Sequence, residues 1–145
     1  MPVTIEKVFR FDAAHRCLGF TDKKEETLHG HTWRLRVVIE ARRDLDPLKT
    51  VFDTNELARI VKPLLERFDH ACILWSEDPI RERLFETCRA VGIDDKLIVV
   101  DFNPTIEGLA EHFFTIVRAQ LHLHAAVLKR VDLDAAATLR ASYAE

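Results

Sequence analysis

Three histidines are spaced so that they could share one metal ion. His29 and His31 stand two apart at the start of an alternating stretch, and side chains at i and i+2 of a strand point the same way. His15 closes a second stretch, FDAAH (11–15), and can bring a third imidazole from a neighbouring strand end. Three neutral nitrogens leave a fourth tetrahedral position for water or substrate, the pattern of a catalytic rather than a structural zinc site. Gly30, between two of these residues, has no side chain to keep a metal or substrate from the backbone. An isolated His-x-His is a weak signal. His122 and His124 form another, which reads as a surface pair at a helix end.

Further candidates carry acid–base chemistry. In Asp69-His70 a carboxylate can orient a histidine and stabilise its protonated form; the competing reading is a helix-terminal histidine that satisfies carbonyls. Glu107 follows Thr105 by two and falls in the first turn of a helix, where an acid also complements the macrodipole. Glu25 and Glu26 share a run with Lys23 and Lys24, as solvated loop charges or as acids close to the histidines. Cys17, Cys72 and Cys88 are odd in number and contain no C-x-x-C pair, against a disulfide framework. Cys72 and Cys88 lie in apolar or helical contexts and read as core residues.

The elements that position these groups follow from periodicity. Residues 3–11 alternate in part, and in HTWRLRVVIE (31–40) Trp33, Leu35, Val37 and Ile39 fall at period two. These predict two strands, antiparallel because the loop at 18–26 is too short for a parallel crossover. Asp53-Thr54-Asn55 offers caps for a helix with Leu57, Ile60, Val61, Leu64, Leu65 and Phe68 on one side, with Pro63 inside it. Residues 78–91 predict a shorter helix opened by proline, and 97–102 a short strand. Asn103-Pro104-Thr105 caps a further helix bearing Ile106, Leu109, Phe113, Ile116, Val117 and Leu121. A last strand is expected within 126–143. The order is that of a single α+β domain over 1–145, with helices on one sheet face.

Composition narrows the function classes. The chain has 145 residues, 48% hydrophobic and 31% charged, with a formal charge of −3 and no basic block. That excludes the electrostatic footprint of a nucleic-acid binder. No apolar run approaches the roughly 20 residues of a membrane span, and the start lacks the pattern of a secretory signal, so the expectation is a cytoplasmic protein.

FDAAH and LHGH (28–31) are followed in order by FDTNEL (52–57), FDHACIL (68–74) and NPTIE (103–107). This series resembles the 6-pyruvoyltetrahydropterin synthase and 6-carboxytetrahydropterin synthase family, from Val3 to Leu121. The resemblance implies the tunnelling fold, a four-stranded antiparallel sheet with two helices packed on one face. It implies a homohexamer, a dimer of trimers, with sites at subunit interfaces. It implies His15, His29 and His31 as zinc ligands, Asp69 and His70 as a proton relay, and Thr105 and Glu107 as residues that hold a pterin.

Two departures qualify the match. Many members carry a catalytic cysteine in C-x-x-x-H-G-H, where this chain has Glu25 followed by Glu26. The string E-x-x-H-G-H from Glu26 resembles the type III branch, in which a glutamate replaces the cysteine and the product is 6-hydroxymethyl-7,8-dihydropterin. Glu26 is therefore the catalytic candidate, with Glu25 behind it. The glutamate that clamps the pterin from the last strand also has no counterpart within 128–143, where Asp132 or Asp134 would stand in. The expected function is a zinc-dependent lyase acting on 7,8-dihydroneopterin triphosphate or a close pterin and cleaving its side chain to the hydroxymethyl product. The alternatives are 6-carboxy-5,6,7,8-tetrahydropterin synthesis for queuosine and a non-catalytic pterin- or metal-binding relative. A zinc hydrolase has no H-E-x-x-H to support it.

Overall fold

In the computed structural model, which describes residues 2–121 and 126–145, two long strands form the centre. β1 (Thr4–His15) and β2 (His29–Ala41) pair antiparallel from Thr4 opposite Glu40 to His15 opposite His29. Alternation turns Phe9, Phe11 and Ala13 of β1, with Trp33, Leu35, Val37 and Ile39 of β2, to one buried face. Two helices cover it. α1 (Thr54–Glu66) brings Leu57, Val61 and Leu65, and α3 (Ile106–Gln120) brings Leu109, Phe113, Phe114 and Val117 into the same core. The expected caps form: Asp53 accepts the Asn55 N–H at 2.8 Å and Thr105 the Gly108 N–H at 3.1 Å. α1 runs through Pro63, whose ring nitrogen has no proton for the preceding turn; the buried stripe on either side holds the helix together.

The expected four-stranded antiparallel sheet is instead a mixed sheet of six strands, with a third helix. β3 (Ala71–Trp75) and β4 (Leu97–Val100) pair parallel, joined through α2 (Arg81–Ala90). β3 in turn pairs parallel with β1 over Ala13–His15. β5 (Ala126–Ala136) and β6 (Leu139–Tyr143) form a hairpin on the far side, which gives the order β4-β3-β1-β2-β5-β6. β3 escapes a periodicity reading because a short parallel strand buried on both faces shows a run of apolar residues rather than alternation. The single last strand is a hairpin whose turn, at Ala137-Thr138, carries none of the glycine or asparagine that marks most hairpins. The His122–His124 pair lies outside the described residues.

The second sheet face is polar. Arg36 lies 3.3 Å from Glu6, Arg130 and Ser142 hold Asp132 at 3.1 and 2.7 Å, and Arg140 holds Asp134 at 2.6 Å. No helix among the described residues is long and apolar enough to cross a membrane.

Candidate metal centre

Strand register decides which histidines meet. His15 lies opposite His29, and His31 opposite Ala13, so all three continue the face that carries Phe11 and Trp33. Their ring centroids stand 4.5 to 5.2 Å apart, and His15 and His31 rest on the Trp33 ring at 5.0 and 4.9 Å. One nitrogen from each lies within 4.8 Å of the other two. Bonds of 2.0–2.1 Å to a tetrahedral ion put nitrogens about 3.4 Å apart, so a small contraction would complete the set.

The tautomers favour a metal. His15 Nδ1 lies 2.8 Å from the Pro104 carbonyl and His29 Nδ1 2.7 Å from the Thr27 carbonyl, so each Nδ1 donates and each Nε2 keeps its lone pair. Such outer contacts orient metal-binding histidines. His15 Nε2 is buried without any partner, an arrangement that costs free energy unless something binds it. Burial, with the neighbouring imidazoles adding to it, pulls His15 down to about 4, and burial first, then His29, lowers His31. Both shifts favour the neutral ring, the form in which an imidazole binds a metal.

Beside the cluster is a cavity of about 190 Å³ lined by His15, Cys17, Phe20, Glu25, His31, Trp33, Thr105, Ile106, Glu107, Ala135 and Leu139. Among the described residues, its carboxylates are Glu25 and Glu107. The Glu25 Oε2 atom lies 3.9 Å from His29 Nε2. Glu26, the candidate favoured by its spacing from His29, turns away to Lys23 at 2.6 Å. Thr105 lines the cavity while its hydroxyl caps α3. Neither proposed stand-in for the clamping glutamate faces this space: Asp132 and Asp134 lie on the opposite side of β5 from Ala135, in the arginine pairs described above.

Asp69 and His70 form a unit elsewhere. His70 Nδ1 lies 3.0 Å from Asp69 Oδ2, and Asp69 Oδ1 accepts the Asp12 N–H at 2.9 Å. That backbone bond, with His70, lowers the Asp69 carboxyl. His70 has φ 61°, uncommon for a non-glycine residue, and the His70 N–H donates to the Asp12 carbonyl at 2.6 Å. The ring is exposed beside a shallow depression of about 470 Å³ that includes Asp12, Gly30, His31 and Thr32. Within one chain the pair does not line the histidine cavity. Cys17, Phe20 and Trp33 went unnoticed as cavity residues in the sequence; for Trp33 the signal was available, two residues along the same strand face from His31.

The model of the family described as 6-pyruvoyl tetrahydropterin synthase matches residues 4–145. The chain belongs to that family. A 6-carboxy-5,6,7,8-tetrahydropterin synthase of Aquifex aeolicus is 30% identical over 97% of both chains. Among solved structures, an uncharacterized Wolinella succinogenes protein superposes with a TM-score of 0.89 at 19% identity, over 100% of this chain and 99% of that one. A Plasmodium vivax 6-pyruvoyltetrahydropterin synthase, solved with its catalytic glutamate changed to alanine, gives 0.71 at 14% identity over 100% and 98%. Members of the 6-pyruvoyl tetrahydropterin synthase family are lyases that act on small pterins, and the histidine cluster is where this member could hold a metal.

Proposed function

We propose that the chain is a zinc-dependent lyase that converts 7,8-dihydroneopterin triphosphate to 6-carboxy-5,6,7,8-tetrahydropterin. The observation that carries the lyase reading is a three-histidine cluster, with the tautomers of His15 and His29 preset, beside a cavity lined by His15, His31, Glu25 and Glu107; the name of the Aquifex relative supports the product. His15, His29 and His31 would hold the ion through Nε2 of His15 and His29 and a ring nitrogen of His31. When bound, it would supply Lewis-acid polarisation of the substrate's side-chain oxygens. Glu107, at the first turn of α3, would accept N–H groups of the pterin ring, with Thr105 beside it. Glu25 would take a proton from the side chain of the substrate, a role within reach of a carboxylate whose partner is a histidine rather than a lysine.

Asp69 and His70 complete the proposal across a subunit boundary. In a homohexamer, the exposed His70 of one chain would reach the cavity of a neighbour and relay a proton there, with Asp69 orienting it.

A second product reading has its own observation. The loop before His29 presents Glu25 to the cluster and holds no cysteine nearer to the H-G-H string than Cys17, and the Plasmodium vivax enzyme uses a catalytic glutamate. That favours side-chain cleavage to 6-hydroxymethyl-7,8-dihydropterin. Incubation of zinc-loaded protein with 7,8-dihydroneopterin triphosphate, read by mass spectrometry, decides: a carboxyl product supports the first reading, a hydroxymethyl product the second. No conversion with metal bound and the assembly intact would replace both with a non-catalytic binding role.

A further inference from the structure

Arg16 follows His15 at the end of β1, and its side chain is only 14% exposed. All three faces of its guanidinium are used. Nε and Nη2 grip the two oxygens of Asp78 at 2.9 and 3.0 Å, and Nη1 donates to the Glu26 carbonyl at 2.7 Å. Asp78, with a side chain wholly out of solvent, also accepts the Ile80 N–H at 3.0 Å. The arginine is thus anchored to the turn ahead of α2. A planar fork with a third donor to spare is a geometry that lysine cannot copy.

The contact falls beside the residue that faces the cluster. The Glu25 carbonyl accepts the Cys17 N–H at 2.9 Å, so two consecutive carbonyls, of Glu25 and Glu26, are fixed by residues that directly follow His15. On the other limb of the loop, Asn103 binds the N–H of Leu18 at 3.0 Å and its carbonyl at 2.8 Å. Fixing both carbonyls sets the backbone at Glu25 and so the direction in which its side chain leaves the chain. The Glu26 side chain is spent on Lys23, and the Glu25 carboxylate is the one left pointing at His29.

We infer that Arg16 is a positioning residue: anchored on Asp78, it holds the Glu26 peptide so that the Glu25 carboxylate faces the histidine cluster. The inference deepens the proposed function and rests on Glu25 as the proton acceptor. A buried ion pair alone is weak evidence of any role; the third bond, to the carbonyl of Glu26 directly after Glu25, is what makes this one specific.

The test uses Arg16→Lys, which keeps the charge and loses the fork, with Asp78→Asn as the second variant should the first not fold. Displacing a reacting group by about 1 Å can cost on the order of 100-fold. Arg16→Lys is therefore expected to lower kcat on 7,8-dihydroneopterin triphosphate about 10- to 100-fold, with KM and bound zinc unchanged. In a Glu25→Gln background the same change should add no further loss. Independently of turnover, limited trypsin digestion should cut at the exposed Lys23 and Lys24 several-fold faster, while cutting at the exposed Lys49 stays as in the parent. Additive losses, a fall in bound zinc, or unchanged cutting at Lys23 and Lys24 would overturn the inference. If Glu25→Gln is inactive but Arg16→Lys is fully active, the inference falls alone. If Glu25→Gln keeps full activity, or the parent turns over no pterin, the functional assignment falls and the inference with it.

Discussion

Truncating His15 to alanine should separate what a metal adds to stability from what the chain supplies itself. In the metal-free protein this imidazole is 3% exposed, with Nδ1 on the Pro104 carbonyl and Nε2 buried without a partner. A buried unpaired nitrogen costs about 1–3 kcal/mol, whereas a hydrogen bond such as that to Pro104 returns about 1 kcal/mol. Truncation removes the penalty together with the bond and some packing on Trp33, and these terms largely cancel. Metal-free His15→Ala is expected within about 2 kcal/mol of the parent. The metal-bound state differs, because a ligand present at about 100 times its dissociation constant adds about 2.7 kcal/mol to the native state. For a domain of this size that is a rise of roughly 6–11 °C in Tm. Thermal melts in EDTA and in excess zinc, with metal content by mass spectrometry, measure both quantities. The parent should show the rise and His15→Ala should not. An equal zinc shift in both proteins, or a metal-free variant weakened by more than about 4 kcal/mol, would refute the reasoning and make His15 a packing residue.

Glu25→Gln should lower turnover by about 100-fold or more, whereas Glu26→Gln, which weakens contacts with Lys23 and the Gly19 backbone, should leave it within about twofold in steady-state assays. Gly108→Ala should destabilise by about 1–3 kcal/mol in urea, against the helix-propensity expectation of a gain, because the added methyl would meet Phe102 at 2.8 Å and the Asn103 carbonyl at 3.0 Å. Burial pushes the Cys72 thiol up to about 11, so its alkylation by iodoacetamide at pH 8 should be slow and should accelerate steadily toward pH 11. Asp134 is held below the usual carboxylate range by its bond with Arg140. Its stabilisation of the β5–β6 hairpin is therefore present above about pH 4 and is lost as pH falls through the lowered value; Asp134→Asn should flatten the acid limb of a urea-midpoint curve.

What was legible in the sequence is what repeats with a period or carries a cap. β1, β2, α1 and α3 follow from alternation, helical spacing and the caps at Asp53 and Thr105, and with the β1–β2 register comes the meeting of His15, His29 and His31. What was not legible depends on pairing between segments far apart in the chain. β3 is a short apolar run that becomes a strand by lying between β1 and β4; β4 was expected within 97–102, but its parallel partner was not. β6 hides behind alanines. The choice between Glu25 and Glu26 was beyond reach for a similar reason: it turns on which carbonyl Cys17 and Arg16 hold, and Arg16 is anchored by Asp78 from 62 residues away. Spacing from the H-G-H string pointed to Glu26; loop geometry brings Glu25, at 3.9 Å, to His29.

The division between strand and loop has a chemical consequence. The three histidines extend the face that packs Phe11 and Trp33, so their geometry is fixed by the same alternation that builds the core, and moving one would disturb the sheet. The groups proposed to bind the pterin or move protons are held otherwise: Glu25 by a clamped loop, Glu107 by the first turn of α3, His70 by a turn after α1 with positive φ. Each can change without moving the three histidines. A carboxylate and a thiol differ in basicity by about four units when unperturbed, and exchanging one for the other on the loop would alter which proton moves while leaving the metal site intact. The product of this lyase should therefore be set by the segment between Arg16 and His29 rather than by the cluster. Grafting a cysteine at Glu25 would change the ratio of carboxyl to hydroxymethyl product at unchanged zinc content if that is right, and would change zinc content first if it is wrong.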